Sequence, residues 1–109
     1  MGTSKSTQFT TPQNRKAELF KALGHPARIA IIEYLIDKCD CVCGDLVAVL
    51  PLSQSTISQH LKELKNVGII KGEIEGAKTC YCINTDTWKE LEEISHLLIK
   101  SYSTKNECC

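Results

Sequence analysis

The stretch from Leu50 to Gly68 constrains the fold of this chain most, because it predicts one helix with two chemically different faces. Ser53 can cap the helix N-terminus through its hydroxyl, and Gly68 can end it. Three apolar residues recur at helical spacing and should face a core: Ile57, Leu61 and Leu64. Short uncharged side chains lie near the start of the other face: Gln54, Ser55, Ser58 and Gln59. Such side chains can reach base edges in a major groove. The alternative is an ordinary amphipathic surface helix, and the neighbouring elements decide between the two.

Three further helices are predicted ahead of this stretch, over Pro12–Leu23, Pro26–Asp37 and Asp45–Leu50. Pro51 and Leu52 then make a tight turn into the helix described above, which is the helix-turn-helix arrangement. The apolar positions expected to face the core in these three helices are Ala17, Phe20 and Leu23, then Ile29, Ile32, Leu35 and Ile36, and finally Leu46, Val49 and Leu50.

Two strands are predicted after Gly68, over Ile69–Glu75 and Lys78–Asn84, with Gly76 and Ala77 in the turn. They form a β-hairpin, the wing of a winged helix. Tyr81 and Ile83 should share one face of the second strand, with Cys80 and Cys82 on the other. Lysines on the helix and on the wing are candidates for phosphate contacts or are ordinary exposed lysines: Lys62, Lys71 and Lys78.

A last helix is predicted from Thr85 to about Ser103, with Thr87 and Glu90 at the spacing of a capping box. Its apolar stripe, which starts at Trp88, exceeds what a small domain can cover. With the first helix it predicts a homodimer surface comprising Phe20, Leu91, Ile94, Leu98 and Tyr102. A twofold dimer would present two recognition helices to a palindromic double-stranded site.

The predicted fold class is mainly α with a small β-hairpin wing (α+β), a winged helix-turn-helix homodimer. We expect a flexible tail over 1–11, a DNA-binding and dimerisation domain over 12–104, and a cysteine-ending tail over 105–109. The 13 basic and 13 acidic residues cancel, so the DNA-binding interpretation rests on pattern rather than on charge. No cysteine pairs with a histidine and a carboxylate at a recognisable spacing, so an enzyme is not expected.

Seven cysteines in 109 residues are the strongest compositional feature. The chain shows no apolar N-terminal run typical of a signal peptide or membrane span, so we expect a cytoplasmic protein without a membrane partner. In a reducing compartment, clustered cysteines indicate metal, metalloid or redox chemistry. The candidate metal ligands are Cys39, Cys41 and Cys43, with Cys80 and Cys82, or Cys108 and Cys109, as competing pairs. Thiolates favour As(III), Sb(III), Zn, Cd, Pb or Cu(I) over hard cations.

Several ordered motifs resemble the ArsR/SmtB family of metal-responsive repressors, and the resemblance extends from about Ala17 to Tyr102. ALGHPARIAII (Ala22–Ile32) is similar to the family's second-helix signature, and CVCGDL (Cys41–Leu46) to the start of its third helix. LSQSTISQHLKELKNVGII (Leu52–Ile70) resembles the recognition helix, and EGAKTCYCIN resembles the wing.

The resemblance implies a homodimer in bacterial cytoplasm that represses a resistance operon and releases DNA when an inducer binds. The recognition positions carry over to Gln54, Ser55, Ser58 and Gln59. His60 also matches a family position, but its place on the helix suggests packing or a backbone contact. The arsenic-responsive members have a Cys-Val-Cys-Asp run, and here Gly44 intervenes before Asp45. The family's zinc site on the last helix is not matched, since its positions are about Thr85, Thr87, Leu98 and Ser101.

The expected function is therefore an operator-binding repressor released by As(III) or Sb(III), with no organic cofactor. Three alternatives stay open at this point. They are a Cd-, Pb- or Zn-responsive repressor, a thiol redox or persulfide sensor of the same fold, and a thiolate metal-storage protein that does not bind DNA.

Overall fold

The computed structural model describes residues 8–38, 42–43, 46–73 and 80–103. The elements in chain order are α1 (Thr11–Leu23), α2 (Pro26–Lys38), β1 (Val42–Cys43), a single 3₁₀ turn (Leu46–Ala48), α3 (Gln54–Asn66), β2 (Ile70–Glu73), β3 (Cys80–Ile83) and α4 (Thr85–Ser103). None of the helices in these ranges is long and apolar enough to cross a membrane.

The first two helices begin and end for local reasons that the sequence encodes. Thr10 and Gln13 form a capping box at the start of α1, each side chain accepting a hydrogen bond of 3.1 Å from the other residue's N–H. Gly24 follows the last residue of α1, and Pro26 opens α2, where its missing N–H costs nothing. Between them, His25 Nδ1 accepts a 3.0 Å hydrogen bond from the Ala27 N–H. Both predicted helices are thereby confirmed to within one residue at each end.

The core draws on every helix and on the wing. Its buried members are Leu19, Ala22, Ile31, Ile32, Leu35, Leu46, Ile57, Leu61, Leu64, Ile69, Ile70, Tyr81 and Leu91. The predicted inward faces of α1 and α2 are wrong in part, because Ala17, Phe20, Ile29 and Ile36 are exposed. Helix α2 is apolar on nearly every side, so periodicity alone does not select its inward face.

The wing is part of a three-stranded antiparallel sheet with the order β1-β3-β2. The predicted hairpin is confirmed over β2 and β3, while its turn, with Lys78, lies outside the described residues. Gly72 has φ of 129°, and a Cβ there would lie 2.1 Å from the Cys80 carbonyl oxygen, so only glycine allows this approach of β2 to β3. Strand β1 was not predicted. Its residues pair with β3 in the register Val42 to Tyr81 and Cys43 to Cys80.

The predicted helix over 45–50 is a single 3₁₀ turn of three residues, Leu46–Ala48. Leu46 is buried and Leu50 is half-buried, as expected, but Val49 is 50 % exposed. Pro51 explains the difference, because a residue before proline is disfavoured in the α conformation and the helix cannot extend through Leu50.

The last helix has the predicted length, but it begins differently. Asn84 caps it, its Oδ1 accepting a 3.2 Å hydrogen bond from the Asp86 N–H. Thr87 is buried inside the first turns, so the predicted Thr87–Glu90 capping box is wrong. Glu90 instead accepts hydrogen bonds of 2.9 and 3.0 Å from Arg15, which fasten α1 to α4. Trp88, the only tryptophan of the chain, is half-buried next to Leu91.

Candidate nucleic-acid interface

Helix α3 has the two faces that its sequence predicts. Ile57, Leu61 and Leu64 are between 0 and 3 % exposed and fix the helix on the core. Ser53 is the N-cap, and its Oγ accepts a 3.3 Å hydrogen bond from the Thr56 N–H. The polar front of α3 follows directly after the cap.

The polar front consists of Gln54, Ser55, Ser58 and Gln59, of which all but the half-buried Ser58 are exposed. Within it, Gln54 Nε2 donates a 3.2 Å hydrogen bond to Ser58 Oγ, which orders the amide along the helix. The Ser53 and Ser55 hydroxyl oxygens lie 3.3 Å apart. This row of amides and hydroxyls both donates and accepts hydrogen bonds, so it can match the donor and acceptor pattern of base edges in a major groove.

Cationic side chains accompany the polar front. Lys62 and Lys65 are exposed on α3, and Lys71 is exposed on β2. The predicted phosphate contact at Lys78 lies outside the described residues. Exposed lysines suit contacts with the sugar-phosphate backbone, which fix the orientation of a protein on a duplex.

His60 fixes α3 to the rest of the protein. It is 8 % exposed, and its Nδ1 accepts a 3.1 Å hydrogen bond from Arg28 Nε on α2. The His60 ring lies 4.4 Å from the His25 ring between centroids. Burial, followed by the nearby His25 and Arg28, holds the pKa of His60 below its ordinary value of 6.5. Of the two roles expected for His60, packing or a backbone contact, its burial supports packing.

Arg28 positions α3, and the sequence analysis did not identify it. Its Nη1 donates a 3.1 Å hydrogen bond to the Ala22 carbonyl oxygen, and its Nη2 lies 4.0 Å from Glu63 Oε2 on α3. It thereby joins α1, α2 and α3 at one point. The only signal in the sequence was an arginine in the first turn of a helix, where a cation is unfavourable unless it has partners elsewhere.

The structure brings two of the candidate thiol residues opposite each other. Cys43 on β1 and Cys80 on β3 are cross-strand partners. Cys80 is half-buried and disulfide-bonded, whereas Cys82 is half-buried with a free thiol. The other candidates, Cys39, Cys41, Cys108 and Cys109, lie outside the described residues. Within the described ranges, no three histidine, cysteine or acidic side chains are grouped to hold a metal ion.

The residues of the candidate dimer surface differ in burial. Leu91 is buried in the core and Ile94 is half-buried, whereas Phe20, Leu98 and Tyr102 are 37, 52 and 63 % exposed. Two further apolar side chains are exposed beside them on α4: Leu97 (65 %) and Ile99 (73 %). The C-terminal half of α4 is therefore apolar around much of its circumference, which is typical of a helix that another surface covers.

Known proteins resemble this chain in sequence and in fold. The family model of the bacterial regulatory proteins of the arsR family matches residues 25–71. An uncharacterised HTH-type transcriptional regulator of Methanocaldococcus jannaschii is 41 % identical over 78 residues, 71 % of this chain and 86 % of that protein. A homolog of the cadmium resistance transcriptional regulatory protein CadC from Staphylococcus aureus is 37 % identical over 82 residues, 74 % of this chain and 67 % of that protein.

A solved structure agrees with these sequence matches. The crystal structure of Rv0081 from Mycobacterium tuberculosis is 31 % identical and superposes with a TM-score of 0.59, covering 88 % of this chain and 98 % of that one. The winged helix-turn-helix fold and the matched segment, which begins at the His25–Pro26 turn and runs through α3, identify the chain as a transcriptional regulator rather than an enzyme. The chain belongs to the arsR family of bacterial regulatory proteins.

Proposed function

We propose that this regulator is a homodimeric repressor that binds a palindromic operator and releases it when As(III) or Sb(III) binds the thiolates of Cys39, Cys41 and Cys43. The observation that carries the DNA-binding part is the polar front of α3, which is exposed at a capped helix N-terminus. Its amides and hydroxyls read base edges, while Lys62 on the helix and Lys78 on the wing contact phosphates.

The dimer part of the proposal rests on the exposed apolar half of α4. Leu98 and Tyr102 continue the stripe that Leu91 begins in the core, because residues 91, 98 and 102 lie on one side of an α-helix. Phe20, on α1, belongs to the helix that Arg15 fastens to α4. A twofold axis through this surface would give two recognition helices a fixed separation, as a palindromic operator needs.

The inducer part rests on thiolate chemistry and on chain connectivity. Up to three thiolates suit trivalent As(III) or Sb(III), whereas hard cations prefer oxygen ligands. Cys43 lies on β1, and the 3₁₀ turn at Leu46–Ala48 follows it and leads towards α3. An ion that draws Cys43 towards Cys39 and Cys41 would disturb β1 and thus the approach to α3. The name of the cadmium resistance homolog supports a soft ion in general and makes Cd the second candidate inducer.

The coupling between inducer and DNA is reciprocal. If the ion-bound dimer holds its recognition helices away from the half-site spacing, DNA lowers the affinity for the ion by the same factor that the ion lowers the affinity for DNA. Such coupling energies are typically about 1–3 kcal/mol, so the apparent operator affinity should fall by about 5- to 150-fold.

The test is fluorescence anisotropy of a labelled duplex from the protein's own upstream promoter, in reductant, titrated separately with arsenite, cadmium and zinc. Release by arsenite but not by zinc supports the proposal. Release by cadmium or zinc alone would replace the trivalent inducer by a divalent one. Tight binding without any response would contradict the inducer part, and absence of binding would contradict the repressor itself.

Cysteine variants assign the site within the same assay. Cys41→Ser and Cys43→Ser should bind the duplex normally and lose release by arsenite. Cys82→Ser is the matched control, because Cys82 is a free, half-buried thiol on β3, and it should respond like the original protein. Unchanged release in the Cys41 and Cys43 variants would exclude the proposed ligands.

A further inference from the structure

Strand β1 brings a cysteine of the loop region directly opposite a cysteine of the wing. Cys43 and Cys80 are Cα partners across the antiparallel pair β1–β3. Residues in such positions have Cα atoms about 4.5 or 5.5 Å apart, depending on the pair type. Both separations fall within the range of about 4.4–6.8 Å that disulfides span. The register alone therefore places the two Cα atoms within disulfide range.

The state of the β3 cysteines distinguishes this position from its neighbour. Cys80 is disulfide-bonded, while Cys82, two residues further along the same strand, carries a free thiol. On the β2 side, Cys82 is paired in register with Lys71 and Cys80 with Glu73, so neither faces a cysteine there. Among the described residues, Cys80 is the β3 cysteine that has a cysteine as its cross-strand partner.

We propose that Cys43 and Cys80 form a reversible thiol–disulfide site that joins the segment ahead of the helix-turn-helix to the wing. Hydrogen peroxide is the oxidant. One thiolate attacks the peroxide, so that an S–O bond forms, the O–O bond breaks and a proton converts the leaving hydroxide to water. The second thiolate attacks the sulfenic sulfur, so that the S–S bond forms, the S–O bond breaks and the leaving hydroxide takes up a proton to become a second water. Two thiols are oxidised by two electrons in total, and a small thiol such as dithiothreitol reverses the reaction.

The site has two consequences for the regulator. In the oxidised form, the wing strand is covalently tied to the two-residue strand β1, which otherwise depends on a very short pairing. The disulfide also removes Cys43 from the thiolates available to a metalloid. Oxidation and arsenite therefore compete for one sulfur atom. This second consequence rests on the proposed function, whereas the disulfide itself does not.

Peptide mapping of the full-length protein tests the disulfide without DNA or metalloid. The reduced protein is treated with hydrogen peroxide, its remaining thiols are alkylated, and trypsin is added. Cleavage after Lys38 and Lys62 isolates Cys39, Cys41 and Cys43 in one peptide, and cleavage after Lys78 and Lys89 isolates Cys80 and Cys82 in another. We expect these two peptides cross-linked, with the mass lowered by two hydrogens, and separated again by dithiothreitol.

Single variants identify the sulfur atoms. Cys80→Ser and Cys43→Ser should lose the cross-link, and Cys82→Ser should keep it at the same peroxide concentration. A cross-link that persists in Cys80→Ser would overturn the proposal, as would a wild-type cross-link between Cys80 and the C-terminal peptide that carries Cys108 and Cys109. The wild-type map alone shows whether the two peptides are joined, so an absent cross-link would overturn the proposal whether or not the variants fold.

The competition is measured with the labelled duplex. Peroxide-treated protein should lose its response to arsenite, and Cys80→Ser should keep that response after the same treatment. If the reduced wild type does not release DNA with arsenite, the metalloid function fails while the mapped disulfide stands. If arsenite releases the DNA and no cross-link between the two peptides is found, the disulfide proposal is wrong and the metalloid function stands.

Discussion

His60 is a buried imidazole that acts as an acceptor, and its charge state affects how firmly α3 is held. Its Nδ1 accepts from the cationic Arg28, so the neutral ring suits the site and a protonated ring would face a cation. Burial contributes most to the lowered pKa of His60, and Glu63 opposes it only weakly. A group whose pKa is lowered on folding binds its proton more readily in the unfolded chain, so acid favours unfolding.

We predict that His60 makes the folded protein less stable as the pH falls below about 6.5, the ordinary value of a histidine. Above that pH both states carry a neutral ring and the full contribution is present. Below it, the free energy of unfolding should fall by up to about 1.4 kcal/mol per pH unit for this one group. Urea unfolding between about pH 7.5 and about pH 5.5 measures the loss. His60→Asn keeps a neutral acceptor and should lose less stability over this range than the wild type.

The matched control for this experiment is His96→Asn, because His96 is exposed on α4. It should show the pH dependence of the wild type. An equal pH dependence in the wild type and in His60→Asn would show that His60 does not carry the effect.

Variants of Lys62 and Gln59, both on α3, distinguish phosphate contacts from base reading in DNA binding. Lys62→Ala should weaken binding to operator and random duplex alike, and reduce the slope of log affinity against log salt by about 0.9 for each phosphate that the variant no longer neutralises. Gln59→Ala should lower the operator affinity selectively, by about 1–3 kcal/mol for each base that the amide reads. Lys89→Ala, at an exposed lysine on α4, is the control and should change neither. Equal effects on both duplexes for Gln59→Ala would contradict base reading by this residue.

At the scale of elements, helix α3 depends on its cap. Ser53→Ala removes the hydroxyl that accepts from the Thr56 N–H and should cost about 1 kcal/mol of the free energy of unfolding. Ser53→Asp restores a cap and should recover that stability, while its negative charge beside the polar front should lower DNA affinity. Urea unfolding and duplex anisotropy on the same samples measure the two effects. Equal DNA affinities for Ser53→Asp and the wild type would place this helix end away from the DNA.

The sequence predicted the long elements and failed on the short ones for physical reasons. Helix α3 and its inward face were predictable because the apolar stripe, the Ser53 cap and Gly68 all indicate the same helix with the same bounds. Strand β1 has two residues and therefore no periodicity, and only pairing with β3, far along the chain, creates it. The inward face of α2 depends on which of several equivalent apolar sides its neighbours cover. The polar front of α3 was predictable, whereas the Arg28–His60 contact joins two separate helices and left only a weak signal.

At the scale of the whole molecule, the C-terminal half of α4 exposes apolar side chains that no other part of the described chain covers. Leu97, Leu98, Ile99 and Tyr102 are each more than half exposed. Nearer the start of α4, the Arg15 guanidinium lowers the pKa of Glu90 and keeps that carboxylate charged, and this ion pair holds α1 against α4. Such a surface is the expected contact of a twofold dimer.

Leu98→Glu should convert the dimer to monomers and weaken binding to the palindromic duplex, since a buried, unpaired carboxylate at an interface is costly. Sedimentation equilibrium measures the first effect and duplex anisotropy the second. Lys89→Glu introduces the same residue on the opposite side of α4 and should leave the dimer intact. A dimer that persists in Leu98→Glu would assign the contact to another surface.

Trp88 is half-buried in the first turn of α4, and it is the only indole in the chain. Its emission wavelength therefore reports the polarity of one known place. If the dimer contact lies on the end of α4, dissociation would change the polarity around Trp88 slightly, because the core persists. Unfolding would expose the indole to water and change that polarity much more. The protein thus carries its own optical probe, which can distinguish loss of the partner from loss of the fold in a single titration without any attached dye.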